Sequence, residues 1–248
     1  MLNNFKYGFT ITARTKSTRL RKKVLRKVGD YLIIEHTINR LKKKFNKNKI
    51  CLITSKFISD RPLVEIAKKN EIKFFTGYPL DVMSRIYFAA KKNDWDYILS
   101  TTGDNPFVDQ NWAYKLLKHH IKNKNDYTFM PNISNGFDSV AVTRDVLKKT
   151  IKLKQQVKTE FWPTHIKENK IFKVGKFYTT GLSDFKNLRI TLDTKEDFKF
   201  IREIYLKINK KIPTNKEIIQ LVKKNPRLRL INKNIKQMRP TKPKFKIK

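Results

Sequence analysis

At 248 residues with 39% hydrophobic content, the chain can bury a substantial core as one large domain or one domain with an appendage. Its formal charge of +36 comes from 44 lysines and 13 arginines against 21 acids. With Asn, Ile and Phe plentiful and only seven glycines, this reads as an AT-rich coding bias more than as a surface selected for polyanions, although such a field would still concentrate anionic substrates, nucleic acid or anionic membrane. A lone cysteine, Cys51, excludes an intramolecular disulfide, and no stretch approaches the roughly 18 uninterrupted apolar residues of a membrane span; residues 1–9 lack the apolar region of a leader, so a cytoplasmic location is expected.

In chain order, short apolar, β-branched and aromatic runs at Tyr7–Ala13, Lys49–Thr54, Ile72–Phe75 and Tyr97–Thr101 predict strands. Between them, residues 31–45, 61–70 and 80–93 place apolar side chains at helical spacing, with Asp60 expected to cap the second of these helices and Pro62 in its first turn. The alternation continues through residue 124 and predicts an α/β fold around a mostly parallel sheet, whose ligands bind outside the carboxyl ends of the strands. Beyond Asp126, strands are expected in 126–132, 139–143 and 171–178 and helices in 144–153, 158–169 and 195–208. Asn187–Asp193 is expected as the last strand and 214–225 as the last helix. Residues 1–224 then form a single domain, and 225–248, with nine cations, no acid and Pro240 and Pro243 to break any helix, form a basic irregular tail.

Three features bear on chemistry. The loop leaving the first strand, "ARTKSTRLRKK" (Ala13–Lys23), has six cations in eleven residues at the binding edge of the sheet, where Arg and Lys can take phosphate oxygens. It carries neither glycine-rich phosphate fingerprint, so anion binding and a merely solvated loop both remain open. The second, "TTGDNPFVD" (Thr101–Asp109), presents Asp104 at a strand's carboxyl end, as a metal ligand or as the acceptor of a local turn. The third, "LRITLDTKEDF", ends another apolar run with Asp193, which could cap the helix that follows. Two strand-end acids opposite a cationic loop suit Mg²⁺, which prefers carboxylates together with phosphate oxygens.

"ITARTKSTRLRKKVL" resembles the A-R-x-x-S-x-R-L-P-x-K signature of the cytidylyltransferases that activate acidic sugars, matching at Ala13, Arg14, Ser17, Arg19, Leu20 and Lys23. "DVMSR" (Asp81, Arg85), "TTGDNPFVD" and "LRITLDTKEDF" are similar to further motifs of the spore-coat-polysaccharide branch, in the same order, over residues 6–208. The resemblance implies a nucleotide-diphospho-sugar transferase (Rossmann-like) fold, CTP as donor, an acidic nonulosonate or octulosonate sugar as acceptor, Mg²⁺ as cofactor and a homodimer. It implies nucleotide contacts from Ala13, Arg14, Ser17, Arg19, Lys23, Asp81, Arg85 and Asp104, catalytic roles for Arg14, Lys23 and Asp104, and metal ligation by Asp104 and Asp193. The chain departs from the pattern at Lys16 (Gly), at Arg21-Lys22 (Pro-Gly), at Val140 (an acid) and at Phe161 (His). The last two fall where the acceptor would be expected.

A nucleotide-sugar-dependent glycosyltransferase would share the sheet but ordinarily needs a D-x-D motif; Asp94 and Asp96 have that spacing but precede their strand. A nucleic-acid-binding protein would account for the charge but not for acids at two strand ends. His36, His119, His120 and His165 lack zinc-ligand spacing, and the three tryptophans read as packing residues. No family motif lies beyond residue 208, so the tail is expected to be dispensable for catalysis and to give weak, salt-sensitive contact with nucleic acid or anionic lipid.

Overall fold

The computed structural model describes residues 2, 4–180, 188–237 and 243–245. Seven strands form one sheet in the order β5-β4-β1-β6-β8-β7-β9, from β1 (Tyr7–Thr12), β4 (Ile50–Ser55), β5 (Lys73–Gly77), β6 (Tyr97–Thr102), β7 (Tyr127–Phe129), β8 (Val140–Thr143) and β9 (Val174–Lys176). β8 runs antiparallel to its neighbours β6 and β7, and the other pairings are parallel. The carboxyl ends of β1, β4, β5 and β6 therefore lie along one edge. A small antiparallel pair, β2 (Lys27–Val28) and β3 (Tyr31–Leu32), precedes the first helix and has no counterpart in the expectations from sequence.

Side chains on a strand alternate between faces, and here both faces are covered. On β4, Ile50 and Leu52 enter one core while Cys51 and Ile53 enter the other; on β6, Leu99 and Ile98 divide the same way. The first core is closed by α1 (Ile33–Lys42), α2 (Arg61–Lys69), α4 (Gln110–Lys122), α7 (Lys195–Ile208) and α8 (Asn215–Lys224), and the second by α3 (Val82–Lys92), α5 (Arg144–Leu153) and α6 (Trp162–Lys167). The result is the expected α/β architecture around a mostly parallel sheet. No described helix is long and apolar enough to cross a membrane.

Three expectations need correction. Leu188–Asp193 is not a strand: its buried Leu188, Ile190 and Leu192 pack into the core, but its amides donate to isolated carbonyls, Ile190 to Asn135 at 3.1 Å and Leu192 to Asp104 at 2.9 Å, rather than to a ladder. Asn187 lies outside the described residues. Asp60 does not cap α2 with its side chain, which is turned to other partners described below. The segment from Asn225 is irregular but not free. Its Pro226–Leu230 turn buries Leu228, Asn232 is buried, and Lys244 and Phe245 lie against Gln155 and Lys154. Residues 238–242 and 246–248 of this tail lie outside the described residues.

Two core histidines make the fold sensitive to acid. His36 is bonded through Nε2 to the Val28 carbonyl at 2.9 Å, and His120 through Nδ1 to Thr128 Oγ1 at 2.9 Å. Burial pushes each down to about 4, with Arg40 helping in one case and His119 in the other. The unfolded chain regains the ordinary value of 6.5 and binds more protons below it, so the stability due to neutral histidine is full above pH 6.5 and is lost as pH falls toward 4. Asp60, Asp81 and Asp193 are also depressed, from an ordinary 3.8, but their contribution is lost only at still lower pH. Urea unfolding at pH 7 and pH 5 should therefore differ by about 2 kcal/mol for each histidine; equal midpoints at the two pH values would contradict this account.

Candidate active site at the carboxyl edge of the sheet

The basic loop leaves β1 already anchored: the Ala13 amide donates to Ile53 O at 3.0 Å. Thr15 is held next, its amide and hydroxyl both donating to Asp60 Oδ1 at 2.7 Å, while Ser55 donates to the other Asp60 oxygen. Asp60 is buried. Burial opposes its charge, but these donors hold its carboxyl below the usual range. At the far end Leu20 is buried, the Leu20 amide donates weakly to Ser17 Oγ at 3.4 Å, and Lys22 takes a left-handed conformation at φ 51°. The loop is thus pinned at Thr15 and Leu20, with Lys16 and Arg19 between the pins, Arg14 before them and Arg21, Lys22 and Lys23 after them.

Lys23 then reaches into the site. Its ammonium bonds Asp104 Oδ2 and, at 2.8 Å, Asp193 Oδ1, and Arg19 reaches the same Asp193 oxygen at 2.8 Å. Burial disfavours the charge on Lys23, yet the two carboxylates outweigh it and hold its pKa above the usual value. Asp193 shows the converse: burial is outweighed by Lys23, Arg189 and Arg19, and its pKa falls. Asp104 Oδ1 also accepts from Thr102 Oγ1. Gly103 permits this turn, because a Cβ there would lie 2.5 Å from Ile34 Cδ1 and 2.9 Å from the Ala13 Cβ.

The other acids have definite places. Asp109 caps α4, accepting from the Asn111 and Trp112 amides, and Thr194 and Asp197 form the capping box of α7, which leaves Asp193 free of capping. Asp138 stands beside this pair: burial and the neighbouring Asp104 push its carboxyl up, although the residue keeps some accessible surface. Gly136, at φ 112°, brings the Asp138 segment against residues 190 and 191, whose backbone would lie 2.7 Å from any Cβ there.

Arg14 pairs with Glu160 at 2.8 Å, both partly exposed. Asp81 faces inward, capping α3 through the Ser84 amide at 3.1 Å and meeting Lys154 at 2.7 Å and Thr159 at 2.8 Å. Arg85 is buried, and its Nε and Nη1 have no hydrogen-bond partner among the described residues. Arg19, Lys23, Asp104 and Asp193 are therefore joined directly, Arg14 is tied instead to Glu160, Ala13 and Ser17 shape the loop, and Asp81 is engaged elsewhere. Asp94 and Asp96 sit at the opposite edge, paired with Arg144. Sequence reasoning did not single out Arg189 or Asn232, and it gave Asp60 only a helix-capping role. The T-x-x-D pattern of Thr194 and Asp197 was the one available sign that a buried acid lay behind Asp193.

Comparison with known proteins places this geometry. A family profile described as cytidylyltransferase matches residues 9–239. An uncharacterized protein of Methanocaldococcus jannaschii is 34% identical over 229 residues, covering 92% of this chain and 94% of that one. The spore coat polysaccharide biosynthesis protein SpsF of Bacillus subtilis is 26% identical over 228 residues, covering 88% and 94%. Among solved structures, a cytidylyltransferase from Leptospira borgpetersenii superposes with a TM-score of 0.85 at 27% identity, over 94% of this chain and all of that one. A CMP:2-keto-3-deoxy-manno-octonic acid synthetase complexed with CTP shares the fold, with a TM-score of 0.62 at 16% identity over 82% of this chain and 99% of that one.

The chain makes a left-handed turn before Lys23 with Arg21-Lys22, where the resembled signature has Pro-Gly. Lys22 bears the cost, since a side chain in the left-handed region crowds its own backbone. Lys22→Gly should therefore raise unfolding stability by about 1 kcal/mol, whereas Lys16→Gly, where φ is not positive, should lower it. Equal effects in urea unfolding would show that Lys22 is not strained.

Proposed function

This chain belongs to the cytidylyltransferase family, and from that premise and the site geometry we propose that it transfers CMP from CTP to an acidic sugar of the nonulosonate or octulosonate type, releasing pyrophosphate and using Mg²⁺. It is a CTP-dependent nucleotidyltransferase; the acceptor class, the metal and the residue roles are the proposal. The observation that carries it is the convergence of Asp104 and Asp193 on the single ammonium of Lys23, under a loop bearing Arg14 and Arg19. Two carboxylates on one cation are the donor set a hard divalent ion takes when phosphate oxygens complete its shell.

Asp104 and Asp193 would hold the metal, which when bound supplies charge neutralisation on the phosphates. Arg14, Arg19 and Lys23 bind the triphosphate oxygens through charge-assisted hydrogen bonds. With the nucleotide bound, Lys23 is shared between the carboxylates and the phosphates. The acceptor hydroxyl attacks the α-phosphorus in line: the new bond forms from that oxygen as its proton passes to solvent, the bond from the α-phosphorus to the α–β bridging oxygen breaks, and pyrophosphate carries away the electron pair. The fixed cations stabilise the charge that develops on the departing pyrophosphate, so positioning and electrostatics account for the catalysis. No covalent intermediate with the protein is required.

Two tests follow. Pyrophosphate release from each of the four NTPs with a panel of acidic and neutral sugars should be strongest with CTP and an acidic sugar; Asp104→Asn and Asp193→Asn should each lower it by more than about a hundredfold while melting remains cooperative. Wild-type turnover in either variant would remove that residue from the metal site. In calorimetric titration, Arg14→Ala should weaken CTP binding far more than Lys42→Ala at the end of α1 or Lys43→Ala just beyond it; equal small losses would return the loop to a solvated role.

A further inference from the structure

Asp193 is held from behind as well as from the site. Its Oδ1 faces Lys23 and Arg19, while Oδ2 accepts from Arg189 Nη2 at 2.7 Å. Arg189 is itself fixed, its Nε and Nη2 donating to the two oxygens of Asp197 at 2.9 and 3.0 Å. Asp197 is fully buried, and its Oδ2 also accepts from the Asp193 and Thr194 amides at 2.9 and 3.1 Å. A buried carboxylate requires partners all round, and one comes from the tail. Asn232 Nδ2 donates to Asp197 Oδ1 at 2.9 Å and to the Arg189 carbonyl at 3.1 Å. A second tail residue, Gln237, accepts through Oε1 from Arg189 Nη1 and from Asn135 Nδ2 at 2.9 Å. Asn135 in turn receives the Ile190 amide.

We propose that Asn232 and Gln237 are positioning residues for the metal-binding carboxylate Asp193. Asn232 fixes Asp197, Gln237 fixes the outer edge of the Arg189 guanidinium, and Arg189 then occupies Asp193 Oδ2, so that Oδ1 is the oxygen presented beside Lys23. This rests on the assignment of Asp193 to the metal under Proposed function. It also reverses the expectation that the tail is dispensable: residues beyond 225 complete the support of a ligand some forty positions earlier in the chain.

The test uses the full chain. Mg²⁺ is titrated calorimetrically into protein saturated with a CTP analogue whose α–β bridging oxygen is a methylene, and the analogue is titrated separately in EDTA. Gln237 is exposed, so Gln237→Leu should fold normally. It should weaken Mg²⁺ binding about tenfold and raise the Mg²⁺ concentration for half-maximal rate, while metal-free nucleotide affinity and KM for CTP at saturating Mg²⁺ stay as in wild type. Gln237→Glu keeps an acceptor oxygen and should restore most of the metal affinity. Asn232→Ala should weaken Mg²⁺ binding and also lower the melting temperature; if it fails to fold, Gln237→Leu decides alone. Wild-type Mg²⁺ affinity in folded Gln237→Leu would overturn the proposal while leaving the function intact. Failure of wild-type protein to take up Mg²⁺ with the nucleotide would instead overturn the metal assignment, and this inference with it.

Discussion

Two carboxylates brought to one place repel each other, and this edge of the sheet is built around a lysine that makes their approach tolerable. Asp104, Asp193 and Lys23 come from three separate loops, so their meeting depends on each loop being fixed independently. The β1 loop is held by the Asp60 latch on Thr15, the Asp104 turn by the close packing of Gly103 on Ala13 and Ile34, and the Asp193 segment by single hydrogen bonds to Asn135 and Asp104. Partly buried charges tolerate no loose partner: removing one leaves the others desolvated and uncompensated. The surrounding cations are therefore part of what holds this edge folded.

How far the sequence discloses this differs from element to element. The strands at β1, β4, β5 and β6 and the helices α5 and α7 were legible within a residue or two, because their apolar spacing matches a single period and both sheet faces are covered. Leu188–Asp193 has the same apolar alternation as a strand and is equally buried, yet it finds no neighbouring strand to pair with. Alternation reports burial on two sides, not hydrogen bonding. Asp104 and Asp193 were found as acids at the ends of apolar runs. Asp60 was misread because an acid before Pro62 looks like a local cap, whereas its partners lie at Ser55 and Thr15. Long-range hydrogen bonds of this kind leave no periodic trace.

The tail separates two properties that composition runs together. Its charge comes from nine Lys and Arg residues, but its contacts with the support of Asp193 are made by neutral groups, the amides of Asn232 and Gln237 against Arg189 and Asp197. A neutral amide suits this work, because a lysine aimed at Arg189 would repel it. The abundance of lysine over the rest of the chain therefore says little about which contacts organise the site.

Lys22 stands where the resembled signature has glycine. Proline and glycine are written with CC and GG at the first two codon positions, whereas Arg21 and Lys22 can be written almost entirely in A, so the pair is one that a coding bias toward adenine and thymine would favour. Lys22 adopts the φ of 51° that a glycine would occupy without strain, a small conformational load at the turn before Lys23. A search pattern that insists on proline-glycine before the lysine would pass over chains of this kind, while one that asks for the left-handed turn and the lysine after it would retain them.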